Sequence, residues 1–301
     1  MRKKVLALVW VGVVSASTCG LFVRWAEAPS LVLAMYRKLF AALALAVPVF
    51  LQRHSRQELK AMTRSQWLWC ILSGVFLGIH FTLYFEAMNS TTMAAAQVLA
   101  GSEVIFVALA MFFLGKERYS RQCVLGIVLA IAGNFLVTLG DSGTASRMLY
   151  GDICAIVCAV FLALYSLIGA EQRKNLSSNV YNFVVYGSAA AFLTIAVGFS
   201  PYSYTGYRTT DYLCALAMMV VGSLMGHGIF NWSIKYLSPT YVAMLKIFTP
   251  VITAVLAMVV FGEYLRPGQM AAGLLVMGGI LVYTASKRKT EPEAKKEENI
   301  N

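Results

Sequence analysis

Two histidines lie inside segments that are otherwise almost free of charge: His80 in LGIHFTLYFEAMN (Leu77–Asn89) and His227 in MGHGIFNWSIKYL (Met225–Leu237), 147 positions apart. Tyr84 follows His80 by four residues, and Asn231 follows His227 by four. That spacing places each pair on one face of an α-helix. Imidazole donates, accepts or holds a proton near neutral pH, which suits recognition of a small polar substrate and proton coupling alike. The competing reading is a histidine that ties one helix to the next through a backbone carbonyl. Glu103 and Lys246 form a second constellation. Lys246 lies one turn before Pro250, and Glu103 occupies the position 147 residues before that proline. Such residues can form an ion pair that substrate or a proton breaks, or can bind the two charged ends of a zwitterion. The alternative is a permanent structural pair, since an unpartnered buried charge is costly.

Arg37 and Lys38 complete the set of cations set deep in apolar sequence. Helical neighbours point about 100° apart, so one of the two is expected to face inward. Arg37 is read as the cavity residue and carboxylate binder, and Lys38 as the one that snorkels to a headgroup. Trp10, Tyr84, Tyr165, Phe230 and Trp232 offer an apolar wall, with packing as their ordinary role. The expected substrate-binding set is therefore His80, His227, Asn231, Tyr84, Glu103, Lys246, Arg37, Trp10 and Tyr165.

What must position these residues is a membrane protein. The chain has 301 residues, 59% of them hydrophobic and 13% charged, against roughly 25% charged in soluble domains. Ten apolar runs of spanning length recur, near 4–24, 29–51, 66–87, 91–114, 121–140, 149–170, 178–199, 211–234, 240–261 and 268–286. Each approximates the roughly 20 residues that cross a bilayer. Ionisable side chains in such runs cost roughly 2.5–3.5 kcal/mol on insertion scales, which directs them toward a cavity or a partner. The first run continues through Leu21, Phe22 and Val23 with no small-x-small cleavage site and reads as a span rather than a leader.

The net charge of +11 is an orientation signal, not a nucleic-acid footprint. With the amino terminus inside, 18 of the 25 Lys and Arg fall on the inner side and 4 in outer loops. Both termini are expected in the cytoplasm. The six cysteines sit in apolar segments without a CxxC pair, and neither HExxH nor GxxxxGK[ST] occurs. No enzyme, metal, cofactor or nucleotide chemistry is expected.

The halves repeat. SEVIFVALAMFFLG (Ser102–Gly115) aligns with TPVITAVLAMVVFG (Thr249–Gly262), identical at six of fourteen positions. Glu117 and Glu263 follow, and each precedes a glycine, Gly133 or Gly279, by sixteen residues. Gly74/Gly78 and Gly222/Gly226 precede the two histidines. Residues 4–140 and 149–286 are thus read as two five-helix units, with 287–301 a disordered cytoplasmic tail. Five is odd, so the copies enter the membrane from opposite sides. That inverted arrangement is typical of secondary transporters and puts the site where the halves meet, near the midplane.

The blocks ending FFLGKERYS and VVFGEYLRP, each followed by a Gly-rich helix, resemble the EamA-type repeats of the drug/metabolite transporter superfamily, over roughly residues 4 to 286. The resemblance implies an all-α polytopic fold of ten helices, both termini inside, and alternating-access transport, usually export, of small metabolites or amino acids. One departure stands out: the proline of the second-half motif, Pro250, has Glu103 as its first-half counterpart. The reading is a plasma-membrane secondary transporter with a small-molecule substrate, coupled to protons, monomeric or weakly dimeric. A channel-like facilitator or uptake carrier is the alternative.

Overall fold

The computed structural model describes residues 2–113, 119–142, 146–233, 245–246, 248–264 and 266–290. The described residues are helical with no strand, as a chain without water to satisfy its backbone requires. The helices are α1 (Arg2–Trp25), α2 (Ser30–Leu51), α3 (Arg53–Ala61), α4 (Arg64–Ser90), α5 (Met93–Ala100), α6 (Glu103–Phe113), α7 (Arg121–Ser142), α8 (Ser146–Gln172), α9 (Ser178–Gly198), α10 (Thr209–Met218), α11 (Ile229–Ser233), α12 (Phe248–Phe261) and α13 (Pro267–Thr290); a π-helical stretch, Met219–Gly228, joins α10 to α11. Polar caps set several starts. The Thr63 hydroxyl accepts from Gln66 N at 3.2 Å while Thr63 N donates back to Gln66 Oε1 at 2.8 Å, a reciprocal cap for α4. The Thr92 and Ser177 hydroxyls accept from Ala95 N and Val180 N at the starts of α5 and α9.

Eight segments are long and apolar enough to cross a membrane, and two shorter apolar helices, Arg121–Leu136 and Phe248–Phe261, stand at the fifth and ninth of the ten expected places. Two local departures from the sequence reading have physical causes. The fourth run is broken at Gly101–Ser102, where Gly101 N still finds Gln97 O at 2.9 Å but α6 starts afresh at Glu103. The eighth run is wound as a π-helix around His227, a form frequent at functional sites. The polar stretch between the second and third apolar runs folds into α3, whose Glu58 carboxylate accepts the Ser177 amide at the start of α9. At the far end α13 runs on to Thr290, into the expected tail; residues 291–301 lie outside the described residues.

Packing follows a two-fold pattern. The α4 face against α8 is matched by the π stretch against α1, and α5 and α6 against α8 by α12 against α1. α2 against α9 and α7 against α13 pair each helix with its own counterpart. The α7–α13 seam shows the symmetry at atomic scale. A Cβ at Gly126 would lie 2.7 Å from Gly279 O, and one at Gly279 would lie 2.6 Å from Gly126 O; Gly133 likewise presses on Ala272 O. Backbones this close leave no room for a methyl group. Gly279→Ala is therefore expected to cost about 1–3 kcal/mol in overpacking. Gly278→Ala, one residue away with nothing within 4 Å of its Cβ position, should cost nothing. Melting temperatures of the two variants in one detergent check this contrast.

Candidate functional site

A cavity of about 150 Å³ opens between the halves. That is small beside the roughly 300–1,000 Å³ of sites for drug-sized ligands, and suits a small metabolite. Its wall draws on α1 (Cys19), α2 (Arg37), α4 (His80, Phe81, Tyr84), the α5–α6 break (Gln97, Gly101, Glu103), the π stretch (Gly222, His227), Lys246 and the start of α12 (Thr249, Pro250). Six of the nine residues singled out in the sequence border one space. Trp10 does not: it is part-exposed on α1 and packs on Phe248, ring centroids 5.2 Å apart. Tyr165 is buried in α8 with its ring 6.5 Å from that of Tyr181. The Asn231 side chain lies outside the described residues. Moreover, His227 belongs to the π-helical stretch, so the four-residue spacing to Asn231 no longer implies one shared face.

His80 ties two helices together and also borders the cavity. Its Nδ1 sits 2.9 Å from the Cys158 carbonyl oxygen; an oxygen without a proton must accept, so Nδ1 donates and ties α4 to α8. Nε2 is the remaining polar atom of a ring that borders the cavity. The ring stacks on Tyr84, 5.9 Å between centroids and 16° from parallel, and the Tyr84 hydroxyl donates to Gln97 Oε1 on α5. His227 meets the edge of Phe81 at 6.1 Å, and His80 meets the same ring at 4.7 Å. Both imidazoles thus contact Phe81.

The two charged residues contributed by opposite repeats do meet. Lys246 Nζ lies 3.5 Å from Glu103 Oε1, with 38% and 15% of the side chains exposed. The meeting depends on the helix break. Ser102 bonds through its hydroxyl to the Asn134 side chain at 2.8 and 3.0 Å, which pins the break to α7. Glu103 then stands in the first turn of α6, where the positive end of the helix dipole favours a carboxylate.

The neighbouring cations behave differently from the expectation for one of them. Arg37 is 1% exposed, with Nε donating to the Ser223 hydroxyl at 3.3 Å. Lys38 does not snorkel. It too is 1% exposed, its ammonium 3.9 Å from the centre of the Phe81 ring and 4.4 Å from that of Tyr186. Both α2 cations are inside because α2 packs against α4, α9 and the second half on several sides. Gly222 makes room for Arg37: a Cβ there would fall 2.4 Å from Arg37 Nη2 and from Cys19 Sγ. Sequence reasoning missed Gln97 and Phe81. A lone amide in MAAAQVLA was a usable signal for the first; an aromatic in an apolar helix gives none for the second.

The EamA-like transporter family matches this chain twice, over residues 3–139 and 149–285. The chain belongs to that family. An uncharacterized transporter from Archaeoglobus fulgidus is 25% identical over 85% of this chain and 88% of its own length. The aromatic amino acid exporter YddG of Ancylobacter novellus is 25% identical over 76% of this chain and 80% of its own. A solved crystal structure superposes with a TM-score of 0.65 over 96% of this chain and 100% of the other, at 19% identity, and speaks to the fold alone. The protein is accordingly a multi-pass membrane transporter and not an enzyme.

Proposed function

We propose that the protein is a secondary active transporter that moves a small metabolite or amino acid out of the cell by alternating access, coupled to protons. Its ten spans form two inverted five-helix repeats in the plasma membrane with both termini in the cytoplasm, as the 18-to-4 distribution of Lys and Arg supports. The observation that carries the reading is the Glu103–Lys246 contact. One charge comes from each repeat, Glu103 stands where a helix is interrupted, and both border the shared cavity. Interrupted helices at a repeat interface are where transporters of this architecture place substrate and coupling ion. The relative that exports aromatic amino acids supports the direction and the substrate size.

Everted membrane vesicles test the reading. Energised to be acid inside, they should accumulate labelled amino or organic acids from a mixed pool, and a protonophore should abolish the accumulation. Gradient-independent equilibration would favour a facilitator instead. The histidines supply the sharper check. Transport should vary with pH, and His227→Gln should flatten that dependence by removing the ionisable group. A mutant profile identical to wild type would remove His227 from the proton path.

A further inference from the structure

The geometry points to a net-anionic substrate, a small organic acid whose carboxylate is held by Arg37. This rests on the transporter reading and names the chemical class that reading leaves open. Arg37 is nine-tenths buried and more, at 1% exposure, and borders the cavity. Among the described residues its Nη1 has no hydrogen-bond partner, and its one hydrogen bond goes from Nε to a neutral hydroxyl. Guanidinium cannot shed its proton in a protein as a lysine can. A buried charge without a counter-charge is among the most costly arrangements in a folded chain, and is retained where function supplies the partner.

The surroundings make the deficit worse. Lys38 is buried beside Arg37. The rings facing the two cations, Phe81 for both, Phe85 for Arg37 and Tyr186 for Lys38, attract cations through their π faces but carry no charge. Glu103 is the one carboxylate among the described residues around the cavity, and Lys246 already occupies it. The lining therefore holds at least one uncompensated positive charge. A zwitterion adds no net charge and so leaves the excess in place. An amine would add to the excess. An acid fits both the charge and the guanidinium's fork of donors, which matches carboxylate geometry. The neighbouring Phe81 and Tyr84 rings would flank its carbon skeleton.

Thermal denaturation of the purified protein in detergent, at fixed low chloride, separates these cases. The probes share one skeleton: 3-phenylpropionate, phenylalanine and phenethylamine, with hexanoate as an aliphatic acid. An acid at about 100 times its dissociation constant should raise the melting temperature by about 5 °C, with no comparable shift from phenylalanine or the amine. Arg37→Gln should lose the acid response while melting no lower than wild type, because it removes an uncompensated charge. If that variant fails to fold, Arg37→Lys serves, and should weaken acid binding at least tenfold by losing the bidentate fork. Stabilisation by the zwitterion or amine but not by the acids would overturn the assignment. So would an equal response to chloride alone, or a full acid response in both Arg37 variants. Binding in detergent needs no gradient. An acid-selective shift without gradient-driven accumulation in vesicles would leave the anion site standing and fell the coupled-transport reading; gradient-driven transport of a zwitterion alone would do the opposite.

Discussion

Glu103→Gln and Lys246→Met are each expected to reduce transport at least a hundredfold while the protein still inserts and folds. The expectation turns on how the two residues are placed. A fully buried pair that only held the structure together would cost roughly 3–5 kcal/mol on losing one member, enough to unfold many membrane proteins in mild detergent. Here Lys246 is 38% exposed into the space beside it and the contact is 3.5 Å long. Such a pair contributes nearer to the roughly 0–1 kcal/mol of solvated ion pairs. Its loss should therefore barely move the melting temperature. Its value lies in being breakable, since each partner can be released to a substrate group or a proton. The double variant should be no worse than either single one, because both remove the same interaction. Normal transport in either single variant, or collapse of both in mild detergent, would take the pair out of the transport cycle.

Much of this arrangement could be read from sequence because it depends on periodicity and on charge in apolar surroundings. The 147-residue offset that aligned Ser102–Gly115 with Thr249–Gly262 also placed Glu103 and Lys246 close enough to meet. The sixteen-residue spacing ending at Gly133 and Gly279 marked the seam where α7 and α13 touch backbone to backbone. What escaped notice depends on geometry that leaves no pattern. A π-helical stretch such as Met219–Gly228 uses the same residues as an α-helix, since the extra residue per turn is set by what packs around it. The break after Ala100 is similar: a single Gly101 in an apolar run is tolerated in continuous helices, and only the Ser102–Asn134 bonds fix it as an interruption. Lys38 was misplaced for a different reason. Snorkelling presumes lipid within reach of the side chain, and α2 is enclosed by protein at that depth.

Arg24→Met should open the cavity to reagents arriving from the face opposite the termini. On that face the Arg24 guanidinium, at the end of α1, donates to Met88 O and, at 2.6 Å, to Thr91 O at the end of α4. Its Nη2 also lies 3.7 Å from Glu263 Oε2, just past α12, while Glu263 Oε1 accepts the Met93 amide that begins α5 at 2.7 Å. One arginine and one glutamate thus clamp four helix ends from both repeats. The second half cannot copy the clamp on the other face, since the position 147 residues after Arg24 is Glu171. Under alternating access these ends must part for the cavity to face that side. Hydrogen bonds to charged groups contribute about 1.5–3 kcal/mol each, so losing even one shifts the closed–open balance by roughly tenfold or more at 1.4 kcal/mol per decade. Cys19 is a native reporter, because it borders the cavity and is buried. With the other five cysteines replaced, a membrane-impermeant maleimide added from that face should label Cys19 at least ten times faster in Arg24→Met than in the same background with Arg24 intact. Glu263→Gln should give a smaller increase, because the Arg24 bonds to Met88 and Thr91 survive it. Equal labelling rates with and without the arginine would mean that this face opens elsewhere, and that the clamp merely holds the helix ends in register.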